Sequence, residues 1–174
     1  MDNPRGRRFA GRVVQVDVED VRMPNGHVST YEFVRHPGGA AVVALDATRR
    51  VCLLRQWRPA VAEWVWELPA GKRDHGEDPA LTASRELIEE AGRSAGRWTD
   101  LGSLLPSPGV FCEVLYLYLA EELAVTPTAL EAGEVFETHW LPLEEACAWA
   151  LDGRIRDAKT IIGLLRAAAL RPGR

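Results

Sequence analysis

Cysteine is scarce: Cys52, Cys112 and Cys147 are the only three among 174 residues, far apart and with no CxxC pair. An odd number so spaced excludes a disulfide framework and offers no zinc pattern, which points to a reduced, intracellular setting. Long apolar runs are missing too, none approaching the roughly 20 residues that a membrane-spanning helix needs. The arginine-rich start, MDNPRGRR, is not followed by the apolar segment of a signal peptide, so the expected location is the cytoplasm. Nor is there an excess of positive charge, since 21 Lys and Arg stand against 25 Asp and Glu, a formal charge of −4. A protein that tracks a nucleic-acid backbone needs the opposite balance, so neither nucleic acid nor membrane is expected as a partner. A small polyphosphate needs only a few local cations and a metal ion. Internal repeats, low-complexity runs and linkers are absent, and His27, His36, His75 and His139 show no ligand spacing. The length suits one domain, 1–174, with a real core.

What is present is a distinctive stretch from Gly71 to Arg93, GKRDHGEDPALTASRELIEEAGR. A loop rich in glycine and charge leads into a predicted helix that Asp78 caps, Pro79 opens and Gly92 stops. On a helical wheel Ala80, Leu81, Leu87, Ile88 and Ala91 gather on the side expected to face a core. Glu86 and Glu90 lie one turn apart on a neighbouring edge expected to face away from it, with Glu89 beside them. Like charges at that spacing repel by roughly 0.2–0.5 kcal/mol, so such a helix leaves them in water or gives them a cation. One reading is a solvated acidic face with Arg85 and Glu89 as an i,i+4 pair. The other is a site for Mg²⁺, a hard ion that accepts carboxylate oxygens, keeps several waters and shares its coordination with substrate phosphates.

Ahead of this stretch, a flexible basic start is expected, then Val14, Val16 and Val18 alternate with polar neighbours. Pro24-Asn25-Gly26 signals a turn, and 28–34 resumes a strand. The hairpin so formed suits a sheet edge, a lid or a dimer contact, and the pattern does not choose among them. His36-Pro37-Gly38-Gly39 breaks the pattern, and strands are predicted over 40–45 and 51–54. The second runs into Arg55-Gln56-Trp57-Arg58, whose two guanidiniums suit either bidentate capture of phosphate oxygens or a pair of surface arginines. Trp64 and Trp66 share a face and read as core or interface aromatics rather than a base-stacking platform. Glu67, between Trp66 and Leu68, is costly to bury without a partner, for which a sugar hydroxyl or a nearby arginine would serve. Beyond the helix, strands are predicted over 98–105, 114–119 and 134–141 and a loop over 121–134. Helices are predicted over 142–152 and 160–170, the last capped by Asp157 with Ile161, Leu164, Leu165 and Ala168 on the sheet, before a mobile tail at 171–174.

Gly71, Glu77 and the run Arg85-Glu86-Leu87-Ile88-Glu89-Glu90-Ala91-Gly92 stand at the spacing G-x5-E-x7-R-E-U-x-E-E-x-G-U. In this they resemble the box of the Nudix hydrolases, with Arg93 in place of the final aliphatic residue. Two further segments resemble the ADP-ribose pyrophosphatase subgroup: Glu67-Leu68-Pro69-Ala70-Gly71 its E-L-P-A-G lead-in, and Ser107-Pro108-Gly109 with Glu113 its S-P-G-x-x-x-E loop, here with Cys112 in an unusual position. The resemblance runs from about His36 to Leu119. It implies an α/β Nudix fold, an α/β/α sandwich around a mixed sheet, with residues 1–35 as an N-terminal β-hairpin extension that helps form a homodimer and 36–170 as the catalytic core.

The same resemblance implies Mg²⁺, or Mn²⁺ in its place, held by Glu86, Glu90 and the backbone of Ala70, with Glu89 holding a further ion or orienting its water. Glu77 and Arg85 would brace the helix against the Gly71 loop. Arg55, Arg58, Glu67, Pro108 and Gly109 would contact a nucleoside diphosphate, and Glu113 or Glu89 would be the general base, Glu113 being favoured. The implied reaction is hydrolysis of ADP-ribose to AMP and ribose 5-phosphate. The alternatives are another nucleoside diphosphate sugar or a dinucleotide as substrate, or a module that senses ADP-ribose without turnover. The four carboxylates Glu86, Glu89, Glu90 and Glu113 speak against the sensor.

Overall fold

The computed structural model describes residues 5–127 and 135–170. The chain opens with three antiparallel strands, β1 (Gly6–Ala10), β2 (Gln15–Arg22) and β3 (Val28–Arg35), in the order β1-β2-β3. The predicted hairpin is β2–β3. Gly26, at φ +84°, donates its N–H to the Met23 carbonyl at 2.8 Å, and the Asn25 side chain accepts from the His27 N–H at 3.0 Å. The expected flexible start is corrected, since residues 6–10 form β1. All five are exposed, so no apolar alternation announces the strand; the ladder to β2 and the Arg7–Asp17 ion pair at 2.9 Å hold it.

Then follow β4 (Gly39–Ala44), β5 (Arg50–Arg58), β6 (Glu63–Glu67), β7 (Ala70–Lys72), α1 (Pro79–Ala91), β8 (Arg93–Leu104), β9 (Leu115–Val125), β10 (Phe136–Pro142), α2 (Leu143–Leu151) and α3 (Ala158–Ala169). They make two more sheets, β7-β4-β9-β8 and β10-β5-β6; β4 and β9 run parallel and the other pairs antiparallel, so the first is mixed. Side-chain alternation builds the layers. Ala41, Val43, Val51 and Leu53 pack into a cluster with Ala146 of α2 and with Leu164 and Ala167 of α3. Their neighbours Ala40, Val42, Ala44, Cys52 and Leu54 pack with Ala83, Leu87 and Ala91 of α1. Helices therefore cover both sides of mixed strands, which is the expected α/β/α arrangement.

Several boundaries differ from the sequence reading. β5 continues through Arg58, β8 begins at Arg93 rather than at 98, and β9 extends to Val125, so the loop expected from 121 begins as strand. The cause is one long antiparallel ladder, Arg93 opposite Val125 down to Leu104 opposite Leu115, whose backbone bonds carry polar residues that periodicity discounts. Residues 128–134 of that loop and the tail 171–174 lie outside the described residues. α3 is capped by Asp157 as predicted, but it buries Thr160, Gly163, Leu164 and Ala167, leaving Leu165 and Ala168 exposed. Gly163 sets this rotation: a Cβ there would lie 2.7 Å from Leu68 Cδ1, so the helix approaches the sheet on its smallest residue.

Candidate active site

α1 follows its predicted capping. Asp78 accepts the Ala80 N–H at 2.8 Å, Pro79 takes the first position, and Gly92, at φ +58°, donates to the Ile88 carbonyl at 3.0 Å. Its faces follow the wheel only in part: Leu87 and Ala91 are buried as expected. Leu81 is 63% exposed, whereas Glu86 and Glu90 are only 7% and 4% exposed, so the acidic edge predicted to face away from the core is covered. The cover is the backbone of β7. The Ala70 N–H donates to Glu90 Oε2 at 2.8 Å, and Gly71 lies so close that a Cβ there would stand 1.9 Å from Glu86 Oε1. A glycine at this point is what lets a carboxylate occupy the space.

Arg85 gathers the rest of the helix edge. Its guanidinium donates to Glu86 Oε1 at 2.6 Å, to Glu89 Oε2 at 3.0 Å, to both oxygens of Glu77 at 3.2 and 3.3 Å and to the Lys72 carbonyl at 3.2 Å. Helix and loop are thereby tied through one cation. The hydrogen bond from Arg85, helped by the Asp74 N–H and the Thr82 hydroxyl, lowers the Glu77 carboxyl to about 2, and Arg85 is raised in turn.

Among the described residues, no group of three or more His, Cys, Asp or Glu side chains is arranged to enclose an ion. The donors present still fit a hard divalent cation. Two carboxylates are buried on adjacent turns of α1, at 7% and 4% exposure, against a backbone stripped of a side chain at Gly71. Mg²⁺ takes one or two carboxylates and leaves its remaining positions to water and phosphate oxygens, so a closed protein cage is not its signature.

Ala70 and Gly71 also line a cleft of about 310 Å³, together with Arg58, Glu113, His36 and Lys159. Arg58 grips Glu67 with two bonds, at 2.6 and 2.8 Å, and Lys159 donates to the same carboxylate. Burial pushes the Glu67 carboxyl up, but Arg58 and Lys159 more than offset this and hold it below its ordinary value. The arginine foreseen as a partner for Glu67 is in place, as Arg58. Arg55 is not in the cleft: three residues before Arg58 on one strand it points the opposite way, over the Trp64 ring at 5.5 Å and 3.8 Å from Glu137. Trp66 packs on Trp149 at 5.3 Å and Trp64 on Trp57 at 5.9 Å; neither lines the cleft. Arg93 donates to the Gly92 carbonyl and lies over the Trp140 ring at 5.4 Å, a local repacking at the helix end.

Glu113 reaches the cleft from the loop after β8. Val110 and Phe111 close a turn on the Ser107 carbonyl at 3.3 and 2.9 Å, and Glu113 Oε1 comes to rest 3.1 Å from His36 Nδ1. Pro108 and Gly109 shape that turn without lining the cleft; Glu86 lies against Gly71 and Glu90 against Ala70, and neither these two nor Glu89 is among the lining residues. Sequence reasoning missed His36 and Lys159. Neither has ligand spacing; the only signals were a histidine next to the Pro37-Gly38 break and a lone lysine two residues past a helix cap.

A NUDIX domain model matches residues 35–163, more than half of the chain. The chain is 40% identical over 158 residues to the methanol dehydrogenase activator of Bacillus methanolicus, covering 90% of this chain and 85% of that protein. It is 38% identical over 154 residues to the ADP-ribose pyrophosphatase of Bacillus subtilis (strain 168), covering 87% and 83%. A crystal structure of an ADP compounds hydrolase superposes with a TM-score of 0.80 over 95% of this chain and 90% of that one, at 22% identity, a likeness of fold.

Proposed function

The chain belongs to the Nudix family, and from that premise we propose that it hydrolyses the diphosphate linkage of ADP-ribose to AMP and ribose 5-phosphate. One observation carries this reading: Glu113 lines the same cleft as the Ala70–Gly71 backbone, which packs against the buried Glu86 and Glu90. The B. subtilis relative and the S-P-G-x-x-x-E spacing of Ser107, Pro108, Gly109 and Glu113 support ADP-ribose as the substrate.

A diphosphate resists water because its oxygens repel the nucleophile. Glu86, Glu90 and the Ala70 backbone would hold a divalent cation, which would supply charge neutralisation on the phosphates and a more acidic water. Arg58 and Lys159 present positive charge at the cleft wall while anchored on Glu67, which fixes their positions against an incoming phosphate. Glu113 takes a proton from the attacking water as its oxygen bonds to one phosphorus. The bridging P–O bond breaks, and its electron pair leaves on the departing phosphate. Glu89 suits the base role less well, because Arg85 already donates to it at 3.0 Å. Arg85 and Glu77 hold α1 against the loop so that Glu86 and Glu90 stay in register with β7.

The reading extends to Mg²⁺ as the ion, with Mn²⁺ able to replace it, and to a catalytic core over 36–170. It also takes in a homodimer assembled through the N-terminal strands, a cytoplasmic setting suited to three free cysteines, and no nucleic-acid or membrane partner for a chain of charge −4.

The test is incubation of ADP-ribose with Mg²⁺ and chromatography for AMP, beside a panel of nucleotide sugars and dinucleotides and beside Glu86→Gln. AMP formation lost in the variant is the expected result. Turnover of another panel member instead would replace the substrate, and binding of ADP-ribose without turnover of anything would make the chain a sensor.

A further inference from the structure

The loop that delivers Glu113 is fastened to the N-terminal sheet. The Val34 N–H donates to the Val110 carbonyl at 2.8 Å, and the Cys112 N–H donates to the Val34 carbonyl at 2.9 Å, a parallel bridge centred on Phe111. Two residues further on, past the end of β3, the His36 ring packs on Phe111 at 5.3 Å and brings Nδ1 to 3.1 Å from Glu113 Oε1. Both side chains are largely enclosed, at 12% and 14% exposure, so the contact is not a loose surface pair.

Nδ1 is also the acceptor of a hydrogen bond from the Gly38 N–H at 3.1 Å, so in this arrangement the Glu113 oxygen is its close neighbour rather than its hydrogen-bonded acceptor. One ring nitrogen carries either a hydrogen or a free lone pair, so it cannot serve both neighbours. With a hydrogen on Nδ1 the ring donates to Glu113. With Nδ1 bare it accepts from Gly38, and its lone pair repels the carboxylate. The charged groups that share the cleft with this pair are Arg58, Lys72, Lys159 and Asp157, and none of them forms a hydrogen bond or ion pair with Glu113.

We propose that His36 is the positioning residue for Glu113: its Nδ1–H holds the carboxylate in the cleft, and loss of that hydrogen to the Gly38 arrangement lets the carboxylate go. The strand that ends at Arg35 thereby sets the geometry of the base through one backbone bridge and one side chain. The inference rests on the reading of Glu113 as the general base, and the experiment separates the two.

Steady-state kcat and KM are measured with Mg²⁺ on whichever panel substrate the native enzyme turns over, for His36→Phe, His36→Gln, His36→Asn, Glu113→Gln and the double variant His36→Phe/Glu113→Gln. Phenylalanine keeps the ring contact with Phe111; asparagine places its amide where Nδ1 stands, and glutamine reaches the Nε2 position instead. His36→Phe and His36→Gln are expected to lose roughly 10- to 100-fold in kcat with little change in KM, the size of effect that misplacing a reacting group produces. His36→Asn recovers most of that loss. In the Glu113→Gln background, His36→Phe adds nothing further, because it acts through the carboxylate. Full kcat in His36→Phe, multiplication of the two losses in the double variant, or equal losses in the Asn and Gln variants would each overturn the proposal. Glu113→Gln with native kcat would overturn the base reading itself. Thermal melts confirm that each variant is folded, and the Asn–Gln comparison stands if His36→Phe does not fold.

Discussion

Gly71→Ala is a one-methyl perturbation that drives a new Cβ into the Glu86 carboxylate. The backbone of residue 71 is outside the left-handed region, so alanine suffers no torsional penalty there. The added Cβ would stand 1.9 Å from Glu86 Oε1 and 2.2 Å from its Cδ, against an ordinary contact of 3.4 Å or more. The carboxylate must therefore move by about 1.5 Å. These colliding atoms are the far end of a flexible side chain, so the fold should absorb the change with a melting temperature close to native. Catalysis should not. A displacement of about 1 Å in a positioned group costs roughly 100-fold, which is about 2.7 kcal/mol of barrier. The assay is kcat/KM with Mg²⁺ varied, since a misplaced Glu86 should also raise the Mg²⁺ concentration needed for half-maximal rate. Native turnover at native Mg²⁺ dependence in a folded Gly71→Ala protein would refute the placement of Glu86 at the reacting centre.

Two further outcomes follow from the ion pairs. Glu77 has its carboxyl lowered from 4.5 to about 2 by Arg85, so its contribution to stability is complete above pH 4.5 and fades as pH falls towards 2. Glu77→Gln should melt lower than native at pH 7, with the two curves converging near pH 2, and a gap unchanged across that window would contradict the assignment. Glu67→Gln leaves Lys159 and Arg58 without their shared carboxylate, itself 3% exposed, and should destabilise the fold by about 3 kcal/mol in urea titration. A loss within experimental error of zero would mean that the triad adds nothing.

What could be read from the chain was what local rules govern. The caps of α1 and α3 depend on groups only a few residues apart, and Asp78, Gly92 and Asp157 all take those positions. The turn at Asn25-Gly26 is of the same kind. The box residues could be aligned because their spacing is fixed along one helix. What could not be read was which surface another segment covers. A wheel treats Glu86 and Glu90 as polar, and only the approach of β7 over Gly71 buries them. Arg55 and Arg58 looked equivalent because strand β5 was expected to stop before them; once it continues, alternation sends them to opposite faces. β1 showed no apolar alternation, and the meeting of His36 with Glu113 depends on how a distant loop is pinned to β3.

β4 has a consequence for how the protein comes apart. Its six residues are buried throughout, it is paired along both edges, and its alternate side chains belong to the two separate apolar clusters beneath α1 and beneath α2 and α3. Neither cluster can open fully without withdrawing side chains from the strand that the other needs. Helix α1 is thus not an independent flap, and local opening around it is coupled to the far layer. The amides of 40–44 should be the last to exchange their hydrogens with solvent, at a rate that reports the stability of the whole molecule.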